Sequence, residues 1–440
     1  MRTYPAAGCA VDTVLLPRPG VAPEKWAVVA CDQYTSQPDY WRAVDALVGE
    51  APSTLRITYP EVYLGKEPPE GRIASIREHM QRFLDEGVFT AHDGLIYLER
   101  EAGAGLRCGL MLCLDLEQYD YSKGSRSLVR ATEGTIVERL PPRMRIRSGA
   151  PLESPHIMVL IDDPDDTVIG PLRAQRGALR PVYDLELMMD SGRLRGWRVD
   201  DRALERATMD ALAALGDRDR FLRHYGLEGT DAAVLLYAMG DGNHSLATAK
   251  AIWEQTKERL GEAAMTSPTR YALVELVNIY DASLEFEPIH RVIFGLKRDL
   301  LADLGVRFGA SMKVSSAADM DALVAAVDAP GAQRFGLVTA AGYQVVELTA
   351  PPAALAVGSL QGFLDPWMKE GGAHELDYVH GTDVVRDLGL QPDNVGIYLP
   401  GMDKADLFRS VILDGALPRK TFSMGEAKDK RFYMECRRIG

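Results

Sequence analysis

Between Ala232 and Glu254 the chain reads AAVLLYAMGDGNHSLATAKAIWE, and within those residues its hydrophobic period changes from that of a strand to that of a helix. AAVLLYAM is an unbroken apolar run of strand length, whereas Leu246, Ala249, Trp253 and Leu260 recur at helical spacing. A strand delivering directly into a helix is the building unit of α/β architecture. Between the two lies Gly240-Asp241-Gly242-Asn243-His244-Ser245. The glycines let the backbone turn sharply and approach a ligand. The helix start then offers unpaired N–H groups and the positive end of its dipole to an anion. Asn243 and Ser245 suit a cap or a ligand contact, and His244 can donate to a phosphate oxygen or carry a proton. An ordinary strand-to-helix turn capped by Asp241 or Asn243 is the other reading of the same residues. Neither Gly-x-x-x-x-Gly-Lys-[Ser/Thr] nor Gly-x-Gly-x-x-Gly occurs here, so the loop is not a P-loop or a dinucleotide fingerprint.

The rest of the chain alternates in the same way, which predicts a mixed α/β fold. Strands are expected at Ala27–Cys31, Gly94–Leu98, Leu106–Leu116 and His156–Ile161, and helices from Pro38 and over Arg72–Leu84. Tyr183–Met189 and Leu194–Val199 flank Asp190-Ser191-Gly192 as a hairpin. A helix at Met320–Val327 and paired strands at Phe335–Thr339 and Tyr343–Leu348 suggest a second lobe. At 440 residues the chain exceeds one ordinary core, and the expected division is 1–300 and 301–440. With 63 acidic residues against 50 Lys and Arg, the net charge of -13 opposes binding to nucleic acid or anionic lipid. Five cysteines without a Cys-x-x-Cys pair fit reduced thiols better than a disulfide or zinc framework. The N-terminus lacks a secretory pattern and no window is long and apolar enough to span a membrane, so a cytoplasmic location is expected.

Several further segments combine residues suited to anions. Tyr121–Arg147 gathers Arg126, Arg130, Arg139, Arg143, Arg145 and Arg147 in an otherwise acidic chain. Arginine forks bind phosphate bidentately, and Glu133 among them can act as a base toward a hydroxyl; a solvated basic face is the alternative. Asp162, Asp163, Asp165 and Asp166 offer oxygen ligands for Mg²⁺, although an acidic turn around Pro164 is favoured. Asp32, Tyr34 and Ser36 follow a strand and can line a pocket with polar groups, or form a plain loop before Pro38. Near the end, Pro418–Gly425 brings Arg419, Lys420, Thr421 and Ser423 into one loop that can complete an anion site across the lobe boundary. His290, set among apolar residues, reads as a core histidine.

Long strings in a fixed order carry a family resemblance: VVACDQYTSQPDYW, RATEGTIVERLPPR, PHIMVLIDDP, YAMGDGNHSLATAK and LPRKTFSMGEAKDKRFYMECRR. Over nearly its full length the chain resembles the bacterial and archaeal domain-of-unknown-function family numbered 1015. That family is distantly similar to the ParB/sulfiredoxin-like group, which includes free-serine kinases with an Asp-Gly-His-His-Arg phosphate loop. The resemblance implies a ParB/sulfiredoxin-like nucleotide-binding core beside a second mixed α/β lobe. It also implies phosphoryl transfer between an adenine nucleotide, ADP or ATP, and a small hydroxylated metabolite, with serine/phosphoserine as the pair indicated. Asp241, Gly242 and His244 match the loop, whereas Asn243 and Ser245 stand where the first His and the Arg would be. The missing cation is then expected from Arg130, Arg139 or Arg143, beside the matching Glu133 and Thr135. In this scheme Gly240 to Ser245, with Arg126, hold phosphate, Glu133 handles the hydroxyl proton, His244 meets the transferring group, Lys420 reaches in, and Asp241 ligates Mg²⁺. A homodimer is compatible with it. A phosphoserine phosphatase and a nucleotide-binding regulatory module without turnover are the competing readings.

Overall fold

A computed structural model describes every residue except Glu67, Ala104, Lys123 and Arg419, and of Ala102 the backbone alone. The chain forms two compact units, Met1–Leu284 with Gly425–Gly440, and Glu285–Met424. The expected single crossing at residue 300 therefore falls inside the second unit. The closing 16 residues return to the first, because buried contacts fix them there: Arg431 to Glu275, Glu435 to the Tyr183 hydroxyl, and Arg437 to Glu153. A division read from local periodicity has no access to such long-range pairing.

The first unit is built on an 11-stranded mixed sheet among the described residues. Its path runs Arg180–Glu186, Arg193–Val199, Leu95–Ala102, Gly105–Asp115, Tyr271–Asn278, Met158–Ile161, Tyr237–Asp241, Val129–Arg130 and Tyr119–Asp120. Period-two alternation sends successive side chains to opposite faces. Ile96, Leu98, Met111, Cys113 and Leu273 enter one core with Trp26, Trp41 and Phe83. Leu95, Tyr97, Leu110, Leu112, Leu114, Val274 and Leu276 enter the other with Trp253. Strands buried on both faces read as continuous apolar runs, which is why LRCGLMLCLDL was legible as a strand. The hairpin also forms, with Met189, Asp190 and Gly192 at positive φ between its strands.

Three expected strands shorten, His156–Ile161 by its first two residues. Of Ala27–Cys31 only Val28–Val29 pairs, with Phe432–Tyr433. Of Ala232–Met239 the ladder begins at Tyr237. The residues before it are held by irregular bonds, since the Ala233 and Val234 carbonyls accept from Arg130 at 2.8 and 3.1 Å and the Leu236 amide donates to Leu128. The helix that follows spans Asn243–Leu260. Leu246, Ala249 and Trp253 are buried, whereas Leu260 ends the stripe in solvent.

The second unit carries a six-stranded sheet of the order Met312–Ala317, Gly342–Leu348, Gln333–Thr339, Val395–Tyr398, His290–Leu296 and Ala373–Val379. Its core includes Ile293, Leu337, Val346, Leu360 and Ile397. The Met320–Val327 helix lies where its apolar spacing placed it. His290 is buried, accepts from the Leu399 amide at 3.2 Å, and is driven down to about 4 by burial and then by Arg291, as befits a core histidine.

Candidate functional site

The loop after Tyr237–Asp241 owes its shape to Gly242. Its φ of 78° lies in the left-handed region, and a Cβ there would stand 3.0 Å from the Ile157 Cα. Only glycine fits both constraints. Gly242 is also the N-cap of the Asn243–Leu260 helix, whose start has no side-chain cap and no acidic residue in its first turn. The alternative reading, in which Asp241 or Asn243 caps the helix, is thereby set aside. The Asp241 carboxylate instead accepts from the Gly242 amide at 2.8 Å. The Asn243 Oδ1 is buried without a hydrogen-bond partner among the described residues. First-turn amides lacking a cap, beside an orphaned polar atom, are the pattern expected where a ligand supplies the missing groups.

The arginine-rich segment docks on this loop at successive points. Val129 and Arg130 pair in parallel with Tyr237 and Ala238. The buried Thr132 hydroxyl donates to the Met239 carbonyl at 2.7 Å, and the Ile136 amide donates to His244 Nε2 at 3.4 Å. Glu133, Gly134 and Thr135 are thus confined between two anchors on the Met239–His244 stretch. The Thr135 Oγ1 is a second buried atom without a partner among the described residues. Beyond Arg139, the Leu140–Arg147 helix carries Arg143, which is held by the Glu61 carboxylate and by the Arg139 carbonyl at 2.7 Å.

Two arginines outweigh one aspartate in the field at His244. Burial, then Arg143 and Arg139, depress His244 to about 4 against a weaker opposing pull from Asp32. The imidazole is therefore neutral at pH 7. Since its Nε2 accepts the Ile136 N–H, its own proton sits on Nδ1. Asp241 is raised by burial but brought below the ordinary carboxylate range by Lys430 and then His156, with Lys430 Nζ 3.4 Å from Oδ2.

Behind the helix start lies His156, which sequence reading passed over in favour of the aspartates after it. Its Nδ1 is 2.6 Å from the Tyr433 hydroxyl, and its Nε2 is 3.2 Å from Ser245 Oγ and 3.8 Å from Asp32 Oδ2. Tyr433 already accepts the Cys31 amide at 3.2 Å, and burial keeps its phenol protonated. On the other side of the imidazole ring, Nε2 faces Ser245 and Asp32. His156, Ser245, Tyr433 and Cys31 border a cavity of about 140 Å³ whose wall also includes Ile57, Leu64, Met80, Ile146 and Leu152.

Other expected residues lie elsewhere or are already engaged. Arg130 is buried and spends its donors on the Ser127, Ala233 and Val234 carbonyls, so it braces the loop. Arg126 pairs with Asp231 at an exposed position. Asp32 belongs to the site, whereas Ser36 is exposed and Tyr34 stacks on Tyr40 with centroids 3.7 Å apart. Lys420 is an exposed residue of the second unit, and Arg419 lies outside the described residues; the lysine that meets Asp241 is Lys430. Asp241 is engaged by an ammonium and an amide, and no group of three or more His, Cys, Asp or Glu among the described residues could hold a metal. In the acidic run, Asp162 accepts from Tyr225 and His224, Asp163 from Thr167 and Val168, and Asp166 from Arg173, which makes it the local turn it was expected to be.

No helix among the described residues is long and apolar enough to cross a membrane. No curated protein matches the chain. Similar solved structures include a free serine kinase variant in complex with AMP, at 11% identity and TM-score 0.37, covering 72% of this chain and 95% of that one. Another kinase variant, in complex with ADP, has 11% identity and TM-score 0.37, with 72% and 92% covered. A C-terminally truncated SbnI from Staphylococcus aureus has 10% identity and TM-score 0.34, with 71% and 82% covered. The profile of the protein of unknown function DUF1015 matches residues 15–367, and the chain belongs to that family.

Proposed function

We propose that the protein transfers a phosphoryl group between an adenine nucleotide and a small hydroxylated metabolite, with serine/phosphoserine as the first pair to test. The observation that carries this reading is the docking of Arg130–Ile136 along the Met239–His244 loop at an uncapped helix start, with Glu133 falling between two of the anchor points. Phosphoryl transfer asks for positioning and charge neutralisation more than for covalent chemistry. The helix amides and the Ser245 hydroxyl hold phosphate oxygens, Arg139 and Arg143 supply positive field, and the His244 Nδ1–H donates to the moving group. Glu133 takes the proton of the metabolite hydroxyl as its oxygen bonds to phosphorus and the bond to the nucleotide breaks. In the reverse direction Glu133 returns that proton. The nucleotide follows from the ParB/sulfiredoxin-like core that the sequence resemblance implies.

Phosphorus NMR of the purified chain with saturating phosphoserine, with and without ADP, tests it. The expected result is ATP forming only when ADP is present. Inorganic phosphate released regardless of ADP would make the protein a phosphatase. Tight nucleotide binding with no change in any phosphorus signal would make it a regulatory module.

A further inference from the structure

The cavity behind Ser245 and His156 narrows the metabolite. Its charged neighbours are already committed to one another: Arg143 to Glu61, and Arg147 and Arg437 to Glu153. A zwitterionic amino acid placed there would have to break buried pairs or leave its own charges unmatched, and both are costly. Thr58, Ser154 and Thr248 also line it, but their hydroxyls already donate to backbone carbonyls, and much of the remaining wall is apolar, with Ile57, Met80 and Leu152 buried and Leu64 and Ile146 beside them. Hydrogen-bonding capacity collects where His156 Nε2 and the Ser245 hydroxyl face each other at 3.2 Å. At about 140 Å³ the space matches a single small ring, since an apolar cavity of about 150 Å³ accepts benzene.

We propose that this cavity holds the organic end of the metabolite and that this end is apolar. The substrate class is a small alcohol or phosphate ester with a branched aliphatic or phenyl-sized group. Its reacting oxygen lies at the cavity mouth, and its phosphate is held by the Ser245 hydroxyl and the helix start. The inference rests on the phosphoryl-transfer reading and departs from it in the metabolite alone, putting an apolar alcohol and its phosphate ester in place of serine/phosphoserine.

Isothermal titration of the full chain with inorganic phosphate, phosphoserine and phenyl phosphate reads this directly, independently of turnover. Phenyl phosphate is expected to bind at least about tenfold more tightly than inorganic phosphate, because the ring leaves water. Phosphoserine is expected to bind no more tightly than inorganic phosphate. Ile57→Phe, which fills the cavity, should abolish the advantage of the phenyl ester while leaving inorganic phosphate unaffected. Met80→Ala, which enlarges it, should shift the preference toward naphthyl phosphate and serves if the first variant does not fold. Tighter binding of phosphoserine than of phenyl phosphate, or no response to either variant, would overturn the cavity assignment alone. If inorganic phosphate and both esters all fail to bind, the phosphoryl-transfer reading falls and this inference with it.

Discussion

The Thr132 hydroxyl donates to the Met239 carbonyl at 2.7 Å, tying the segment that bears Glu133 to the strand that feeds the glycine loop. Valine is nearly isosteric but leaves the carbonyl without this donor. Thr132→Val should cost about 1–2 kcal/mol in urea unfolding. Turnover should fall by more than that stability change accounts for, because the position of Glu133 depends on the anchor. A variant that loses stability but retains full turnover would separate the anchor from the chemistry.

Glu133→Gln keeps the shape of the side chain and removes its basicity. General-base catalysis is worth roughly 10²- to 10⁴-fold, so turnover should drop by at least about 100-fold. Nucleotide affinity measured by titration calorimetry should change little. Unaltered turnover removes Glu133 from the mechanism.

How far the sequence already disclosed this site depends on the range of each interaction. Gly242, His244 and the helix after them were legible because a turn, a cap and a periodic stripe are local events. Arg130 was misjudged because its carbonyl partners lie about a hundred residues away, at Ala233 and Val234. Lys430, Tyr433 and His156 were equally hidden as individuals, although each falls within a string that carries the family resemblance. Composition and period cannot reveal that a closing segment folds back to supply Lys430 to Asp241. The sheet was readable from its apolar runs, whereas the short pairing of Val28–Val29 with Phe432–Tyr433 depends on chain ends meeting.

Lys430→Met tests that return. The native Asp241 carboxyl lies below its ordinary value of 3.8, with Lys430 the leading attraction against burial. Its contribution to stability is therefore present above the unfolded value and is lost as pH falls through the lower folded value. Removing the ammonium leaves a mostly buried carboxylate with a weaker counter-charge. Because Asp241 retains 20% of its side-chain exposure, the cost at neutral pH should be about 1–2 kcal/mol. Urea midpoints compared at about pH 3 and about pH 7 should show the variant converging on the parent at the acid end. A constant difference across that range would mean that the loss comes from packing and not from the charge pair.

His244 offers the most direct reading of the field at the helix start. Burial and the neighbouring Arg143 and Arg139 bring it to about 4, from an ordinary 6.5. Between those values the unfolded chain binds a proton that the native imidazole refuses. Stability therefore rises with pH across this window and is lost on acidification. Titration of the His244 ring followed by NMR should give a midpoint near 4 in the free protein. Arg143→Gln should move it back toward 6.5, because one of the two opposing cations is gone. A bound phosphate should also raise it, since an anion at the helix start favours the imidazolium. The two perturbations differ in origin, one removing positive charge and the other adding negative charge, so agreement between them locates the anion beside His244. A midpoint that phosphate leaves unmoved would place the anion away from His244 and remove that residue from the transfer.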